Sequence, residues 1–499
     1  MYQKMKKTNS LLLCFISAIL LALPFFSFRF WLLCWVGFVP FFLLLRDKTA
    51  LKSFAWSYFL GFIFFVSILY WLIHVTMLGW IVLSVYLALY LGIFGLIFNF
   101  SKKLKSSYFI LFIASAWVCV EFFRSIFLTG FPWALLGYSQ YKNLFIIQIA
   151  DIFGVYGVSF LVLLTNAAIY KALENKKSRI KYCLVVFIII ALTFSYGYFR
   201  LNQKLAGENL RVSVIQGNIP QDEKWQYELM PYILGKHLTL ARLVSKEKPD
   251  IIIWPETSIP GALEEEPLLF NNIISLAKDI EADLLVGTIS ARGGSYYNSA
   301  ALVSKEGKII NRYDKLHLVP FGEYIPFPRL FSFVSDIAPA PIGDFAFGKE
   351  YTVFSLDENR NKTFSVLICF EDLFAYLSRN FVNRGARFLV NITNDAWFKK
   401  TVEPYQHLQA SVFRAVENRV WVVRAANTGV SCFINPNGKI VSSVQDKDTQ
   451  EEIFISGFKT QDISLDKRTS LYSRIGDIFV LFCFVFFLGV ILLEKIRRH

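Results

Sequence analysis

Charged residues are scarce in this sequence. Asp, Glu, Lys and Arg together make up 18% of its 499 residues, below the roughly 25% usual for a soluble domain. Apolar residues fill 55% and mean hydropathy is +0.45, which excludes an ordinary water-soluble protein. Phenylalanine is unusually heavy at 51 residues, as lipid-facing helices would have it. Cysteine is sparse, with seven in all. Five of them (Cys14, Cys34, Cys119, Cys183 and Cys483) stand in long apolar runs, where cysteine serves as a small apolar filler. Only Cys369 and Cys432 remain for the polar part of the chain. One disulfide between them could form in an oxidising compartment, but two cysteines make no disulfide framework. Low-complexity tracts and fixed-period repeats are missing as well.

The long polar region also lacks a net charge. Five short segments carry seventeen basic residues against three acidic ones, and so account for the whole formal +14. They are Lys4, Lys6 and Lys7; Arg46, Lys48 and Lys52; Lys102, Lys103 and Lys105; Lys171, Lys176, Lys177, Arg179 and Lys181; and Lys495, Arg497 and Arg498. The remainder of the chain is neutral in sum. Nucleic-acid binding is excluded on this ground, since its electrostatic footprint is absent from the polar region. Basic residues confined to the flanks of apolar runs report topology instead.

Eight apolar stretches are long enough to cross a hydrocarbon core of about 30 Å. They lie near 8–26, 30–45, 54–73, 78–99, 108–126, 144–170, 182–199 and 472–493. The first has a Lys-rich start but no A-x-A cleavage site, and reads as a retained span. With the N-terminus in the cytoplasm, all five basic segments fall on the cytoplasmic side, and the opposite short loops hold only Arg29, Arg124 and Lys142. The expected organisation is a membrane domain over 1–199, an extracytoplasmic domain over 200–471, and an eighth span with a cytoplasmic tail over 472–499. Glu121 and Arg124 are spaced to pair near a helix end. Asp151 and Asp477, close to span ends, read as solvated at the interface.

From about residue 209 the pattern changes to short strands and helices. Leu210–Ile215, Ile251–Trp254, Leu284–Thr288, Asn298–Val303, Phe364–Ile368, Phe388–Ile392 and Val420–Ala425 read as strands. Helices are expected near 226–246, 266–281, 372–384 and 404–418. Val, Ile and Leu dominate the strands, which implies burial on both faces and an α/β sandwich with helices outside.

Three motifs in this domain carry reactive groups. Trp254-Pro255-Glu256 puts a carboxylate at a strand end. Tyr313-Asp314-Lys315-Leu316-His317-Leu318-Val319-Pro320-Phe321-Gly322-Glu323 is a turn-rich loop able to fix a cation. Cys369-Phe370-Glu371-Asp372 follows a strand and precedes a helix, an elbow whose N–H groups are expected to lower the thiol pKa. Each alone admits a plain reading: a salt bridge or cap, a solvated loop, a core cysteine. Together they supply base, cation and nucleophile for acyl transfer. Glu256 takes the thiol proton, Lys315 steadies the developing oxyanion, and Cys369 attacks. No metal and no organic cofactor is implied.

These motifs, in this order, resemble the nitrilase (carbon–nitrogen hydrolase) superfamily, and with the eight spans they resemble the bacterial apolipoprotein N-acyltransferases. Gln216-Gly217-Asn218-Ile219-Pro220-Gln221 with Trp225, Asn391-Ile392-Thr393-Asn394-Asp395-Ala396-Trp397-Phe398, Gln406-His407-Leu408, Thr129–Trp133 and Gly137–Gln140 extend the likeness over essentially the whole chain. The resemblance implies a nitrilase-like αββα sandwich inserted between membrane helices. It implies a ping-pong reaction in which Cys369 takes a fatty acyl chain from a phospholipid and passes it to the amine of a diacylglyceryl-cysteine on an apolipoprotein. It names Glu256, Lys315 and Cys369 as the triad, Glu323 as a second carboxylate orienting Lys315 or substrate, and Trp225, Phe370 and Glu371 as lining the site. An inner-membrane, periplasm-facing monomer is expected. The sequence departs from the pattern at Phe370, where a tyrosine is often found, and over Lys399–Glu403, where smaller, Gly-rich sequence is expected. Two alternatives stand beside this reading: a membrane-tethered amidase that sends its thioester to water, and a transporter or receptor, which would need no Glu–Lys–Cys set.

Overall fold

The computed structural model describes residues 10–204, 207–259, 261–263, 265–331, 343–466 and 468–497. Lys4, Lys6, Lys7 and Arg498 lie outside the described residues. The chain divides into two compact units, Met1–Gln203 with Ile475–His499, and Lys204–Arg474.

In the first unit, seven described helical segments are long and apolar enough to cross a membrane: Phe28–Leu45, Ala50–Ile68, Met77–Ser101, Tyr108–Thr129, Ala150–Glu174, Lys176–Leu201 and Ile478–Ile496. Ser10–Phe26 is apolar but only 17 residues long, about 26 Å at the α-helical rise. Eight spans is therefore approximate: seven long segments and one shorter.

Two expected spans are not continuous helices. Phe28–Trp35 is a 3₁₀ helix, and the α-helix resumes only at Val39–Leu45. Backbone groups freed inside a bilayer must find partners within the protein. Asn166 supplies them: its Nδ2 donates to the Cys34 carbonyl at 2.8 Å, and its Oδ1 accepts the Phe38 N–H at 2.8 Å. The 144–170 stretch likewise splits into Leu144–Ile147 and Ala150–Glu174, with Gly154 at φ 65 inside the second.

The charged residues near span ends differ from expectation. Asp151 is buried and paired, its Oδ2 lying 2.9 Å from Arg200 Nε while its Oδ1 accepts the Tyr196 hydroxyl at 2.8 Å. Arg124 and Glu121 face inward and fasten the loop that follows their helix. Arg124 donates to the Phe131 and Trp133 carbonyls at 3.0 and 2.7 Å, and Glu121 accepts the Leu136 N–H at 2.6 Å. Side chains and loop backbone of the protein, not bulk water, meet these charges.

The second unit is built on two six-stranded mixed sheets. The first runs β12 (Gly457–Leu465), β1 (Glu208–Gln216), β2 (Ile251–Ile253), β3 (Asp283–Arg292), β4 (Ser295–Val303), β5 (Ile309–Asp314). The second runs β11 (Ile440–Ser443), β10 (Cys432–Ile434), β9 (Trp421–Ala426), β8 (Phe388–Thr393), β7 (Thr363–Ile368), β6 (Phe354–Ser355). β1, β2 and β3 are mutually parallel, as are β7, β8 and β9, and antiparallel strands flank each trio. β1 packs against β9 and β4 against β7. Helices Met230–Ser245 and Pro267–Ile280 cover the first sheet, and Ala375–Asn383 and Glu403–Asn418 the second. The fold is the nitrilase-type αββα sandwich.

Candidate active site

The C-terminal ends of β2, β5, β7 and β8 meet at one rim of the sandwich. After β2, the chain turns through Trp254-Pro255-Glu256 hard against β3. A Cβ on Gly287 would come within 2.1 Å of the Pro255 carbonyl and 2.7 Å of Glu256 Cα, so only glycine admits this approach. The turn places the Glu256 carboxylate, 7% exposed, beside Lys315, which follows β5 directly. Lys315 is held there by its backbone N–H, which donates to the Asn298 carbonyl at 2.9 Å.

Lys315 Nζ lies 2.9 Å from Glu323 and 3.6 Å from Glu256. Burial alone would push this amine down, but Glu323 and Glu256 outweigh it and hold it above the ordinary lysine range. Asn298 Nδ2 bridges the same two carboxylates, donating to Glu256 at 2.8 Å and to Glu323 at 2.7 Å. Glu323 is fixed further by the Val319 N–H at 2.7 Å. One ammonium and one amide thus set both carboxylates.

Cys369 directly follows β7 at φ 52, in the left-handed region that non-glycine residues rarely enter. The conformation turns the half-buried thiol out of the strand, and Asn391 donates to the Cys369 carbonyl at 3.1 Å to hold it. The expected lowering of this thiol's pKa is not found. Burial first, and then the Glu256 charge, push it well above the ordinary thiol range, against opposing pulls from Lys315 and a Thr393 hydrogen bond. The helix after it is also a single 3₁₀ stretch, Cys369–Leu373, too short to offer much of a dipole. Such a thiol rests protonated and needs a base.

Glu371 does not face the opening. It is fully buried and accepts the N–H groups of Ile368 at 2.7 Å, Leu316 at 2.7 Å and His317 at 3.0 Å, with the Tyr313 hydroxyl at 2.8 Å. Burial pushes its carboxyl up to about 7 despite these donors. Phe370 packs edge-on to Phe374 at 5.2 Å and tilted to His317 at 6.0 Å. Trp225 stands 48% exposed on the loop after β1.

Behind the elbow lies a buried ionic network. Asp372 accepts from His407 Nε2 at 3.0 Å and Arg424 at 2.9 Å, and from the Ser411 hydroxyl. His407 Nδ1 faces Asp395 at 3.3 Å, and Thr393 donates to Asp395 at 2.9 Å. Burial pushes His407 down, yet Asp372 and the bonds to both aspartates carry it up to about 10. Asp395, Glu403 and His407 cluster closely enough to suggest a metal site. Both ring nitrogens face carboxylates, however, so the imidazole is doubly protonated and has no lone pair to give. Lys399, in the segment expected to be Gly-rich, does sit at φ 52 and ψ −167, where glycine is favoured. Cys432 is buried with a free thiol, pushed up to about 12 by burial, and Cys369 is free too, so the disulfide is not formed.

Two residues of this site were not singled out from sequence. Asn298, which bridges the carboxylates, is one polar residue in an ordinary strand. Lys224 reads as a solvated charge in Asp222-Glu223-Lys224, yet is 2% exposed and donates to the Glu256 carbonyl at 2.9 Å.

A sandwich with Glu, Lys and Cys at one rim, in a chain whose other unit holds helices long and apolar enough to cross a membrane, marks an enzyme of the carbon–nitrogen hydrolase class. Residues 211–468 match the carbon-nitrogen hydrolase family model, and residues 17–168 match the apolipoprotein N-acyltransferase N-terminal domain. The chain is 37% identical to the apolipoprotein N-acyltransferase of Geobacter metallireducens over 95% of its length and 92% of that protein. It is 30% identical to that of Haemophilus ducreyi, over 96% and 95%. The sandwich is also similar to an amidase from Nesterenkonia sp., with a TM-score of 0.40 and 18% identity over 56% of this chain and 97% of that one. The chain belongs to the apolipoprotein N-acyltransferase family, and is an acyltransferase.

Proposed function

We propose that the protein moves a fatty acyl chain from a membrane phospholipid to the α-amine of a diacylglyceryl-cysteine that begins an apolipoprotein, through a thioester on Cys369. The observation that carries this reading is the Lys315 ammonium held between Glu256 and Glu323 beside the Cys369 elbow. Glu256 takes the thiol proton as the sulfur attacks the ester carbonyl of the donor. Lys315 steadies the tetrahedral oxyanion. Collapse expels the lysophospholipid alkoxide, which recovers the proton from Glu256, and the acyl chain remains on sulfur. In the second half the acceptor amine attacks the thioester carbonyl and Glu256 removes its proton. The thiolate departs, is reprotonated, and an amide is released.

Within this reading Glu323 and Asn298 orient Lys315 and Glu256. Glu371 positions the elbow, instead of lining the site. Trp225, Phe370 and Trp397 supply apolar contact for lipid. The protein acts as a monomer in the inner membrane with residues 200–471 outside the cytoplasm, a placement supported by the one-sided distribution of Lys and Arg.

The test is mass spectrometry of enzyme incubated with phospholipid alone. An acyl mass on the Cys369 peptide, labile to hydroxylamine and absent from Cys369→Ala, is expected. No adduct, or one on another residue, would contradict the reading.

A further inference from the structure

Counting charge at the rim leaves an imbalance that the triad does not resolve. Lys315 faces two carboxylates, Glu256 and Glu323, both largely shielded from water. One ammonium against two carboxylates sums to −1, and a buried net charge is costly unless something offsets it. A thiol asked to ionise in that setting meets further negative charge.

Lys224 is the offset. It stands on the loop after β1, next to Trp225, and is buried, lining a small pocket with Glu256, Thr257, Ser258, His237 and Asn427. Nζ donates to the Glu256 backbone carbonyl at 2.9 Å, and its charge reaches both Glu256 and Cys369. The groups facing it that can titrate are therefore Glu256, Cys369 and His237. His237 is kept neutral: its Nδ1 donates to the Ile233 carbonyl at 2.9 Å, which leaves Nε2 as a bare acceptor in the same pocket. Burial holds the imidazole down at about 4. A neutral acceptor there tolerates an ammonium at no electrostatic cost.

We propose that Lys224 is a second cation of the catalytic site: a positioning residue that fixes the Glu256 turn through its carbonyl and, by its charge, lets the Cys369 thiolate form. With Lys224 counted, the set of Glu256, Glu323, Lys315 and Lys224 is neutral at rest. Taken together with the Cys369 thiol, it stays neutral when the proton passes from Cys369 to Glu256. Burial lowers the Lys224 amine to about 8, with Glu256 and Cys369 pulling the other way, so the charge is present at neutral pH. This inference rests on Cys369 being the nucleophile.

Full-length enzyme in detergent micelles, treated with iodoacetamide at a series of pH values and read at the Cys369 peptide, tests it. Lys224→Arg should keep the rate within about threefold. Lys224→Met and Lys224→Gln should both slow alkylation at pH 7 by about tenfold, the equivalent of one unit in the thiol pKa, with the profile displaced to higher pH. The glutamine variant keeps an N–H donor on a side chain one atom shorter, so the test stands even if the methionine variant misfolds. A glutamine variant that reacts like wild type would overturn the proposal, because a hydrogen bond without charge would then suffice. Wild-type Cys369 that resists alkylation at every pH would instead remove the nucleophile reading itself, and this inference with it.

Discussion

Glu371 Oε1 accepts the Leu316 backbone N–H at 2.7 Å, and its other oxygen accepts the Ile368 N–H at the same distance. The strand end that carries Cys369 and the loop that carries Lys315 are thereby fastened through one buried carboxylate. Cys369 and Lys315 follow strands of different sheets, and this tie fixes their separation. Glu371→Ala would strand three backbone donors and the Tyr313 hydroxyl in a dry interior, each worth about 1–3 kcal/mol. The expected outcome is a melting temperature lowered by several degrees together with loss of acyl-enzyme. Glu371→Ala with unaltered melting and unaltered acylation would contradict the tie.

Asn298 donates to both Glu256 and Glu323, so its loss should disturb catalysis more than folding. Asn298→Ala is expected to lower the acylation rate by roughly 10–100-fold. Glu256→Gln and Lys315→Met should each cost ~10²–10³ or more, as groups stabilising developing charge do. Single-turnover acylation with labelled phospholipid measures all three. A deletion at Asn298 that exceeds the loss from Lys315→Met would place the central role elsewhere.

His407 bears on stability against pH. Its folded pKa, about 10, lies above the ordinary 6.5. Protonation is therefore favoured by the folded state, and the stabilisation is complete below pH 6.5 and lost as pH rises through about 10. Asp372 and Asp395 are held below 3.8 in the fold, so their contribution is present above that value and lost as acid is added. Thermal melts between pH 6.5 and about 8, below the range where the lowered Lys224 amine acts in the opposite sense, should show a decline that His407→Gln flattens. A wild-type melting temperature that does not change over this window would count against a charged His407.

What could be read from sequence followed burial. β2, β7, β8 and β9 are buried along their length, and all four were legible as continuous Val, Ile and Leu runs. β5 and β12 were not, because one face of each meets solvent or polar neighbours and Asn311, Arg312, Gln461 and Asp462 break the run. β6, at two residues, and β10, at three, are too short to carry a pattern. Glu256, Lys315 and Cys369 could be picked out as candidates because each lies at or just beyond a strand end. Lys224 was not: its local neighbours are charged, and only the tertiary fold turns it inward. The interruption at Val36–Phe38 was hidden for a related reason, since its partner, Asn166, lies more than a hundred residues away.

Topology has its own test. Reporters inserted after Lys103 and after Lys177 should be cytoplasmic, and one near Met230 extracytoplasmic, because the basic segments lie on one side only. Finding the Met230 and Lys177 reporters on the same side of the membrane would overturn the proposed orientation.

The account turns on which acceptor the thioester meets. Thioesters react with amines and with water, so a transferase must keep its acyl-enzyme dry until the amine arrives; Trp225, Phe370, Trp397 and Phe398 flank the reactive motifs. The deciding measurement follows the Cys369 acyl-enzyme, formed from phospholipid alone, over time by mass spectrometry with and without a diacylglyceryl-cysteine peptide. The adduct should persist far longer than one turnover, discharge to an amide on addition of the free-amine peptide, and ignore an N-acetylated one. Rapid decay to free fatty acid, unaffected by the amine, would contradict the transferase and leave a hydrolase in its place.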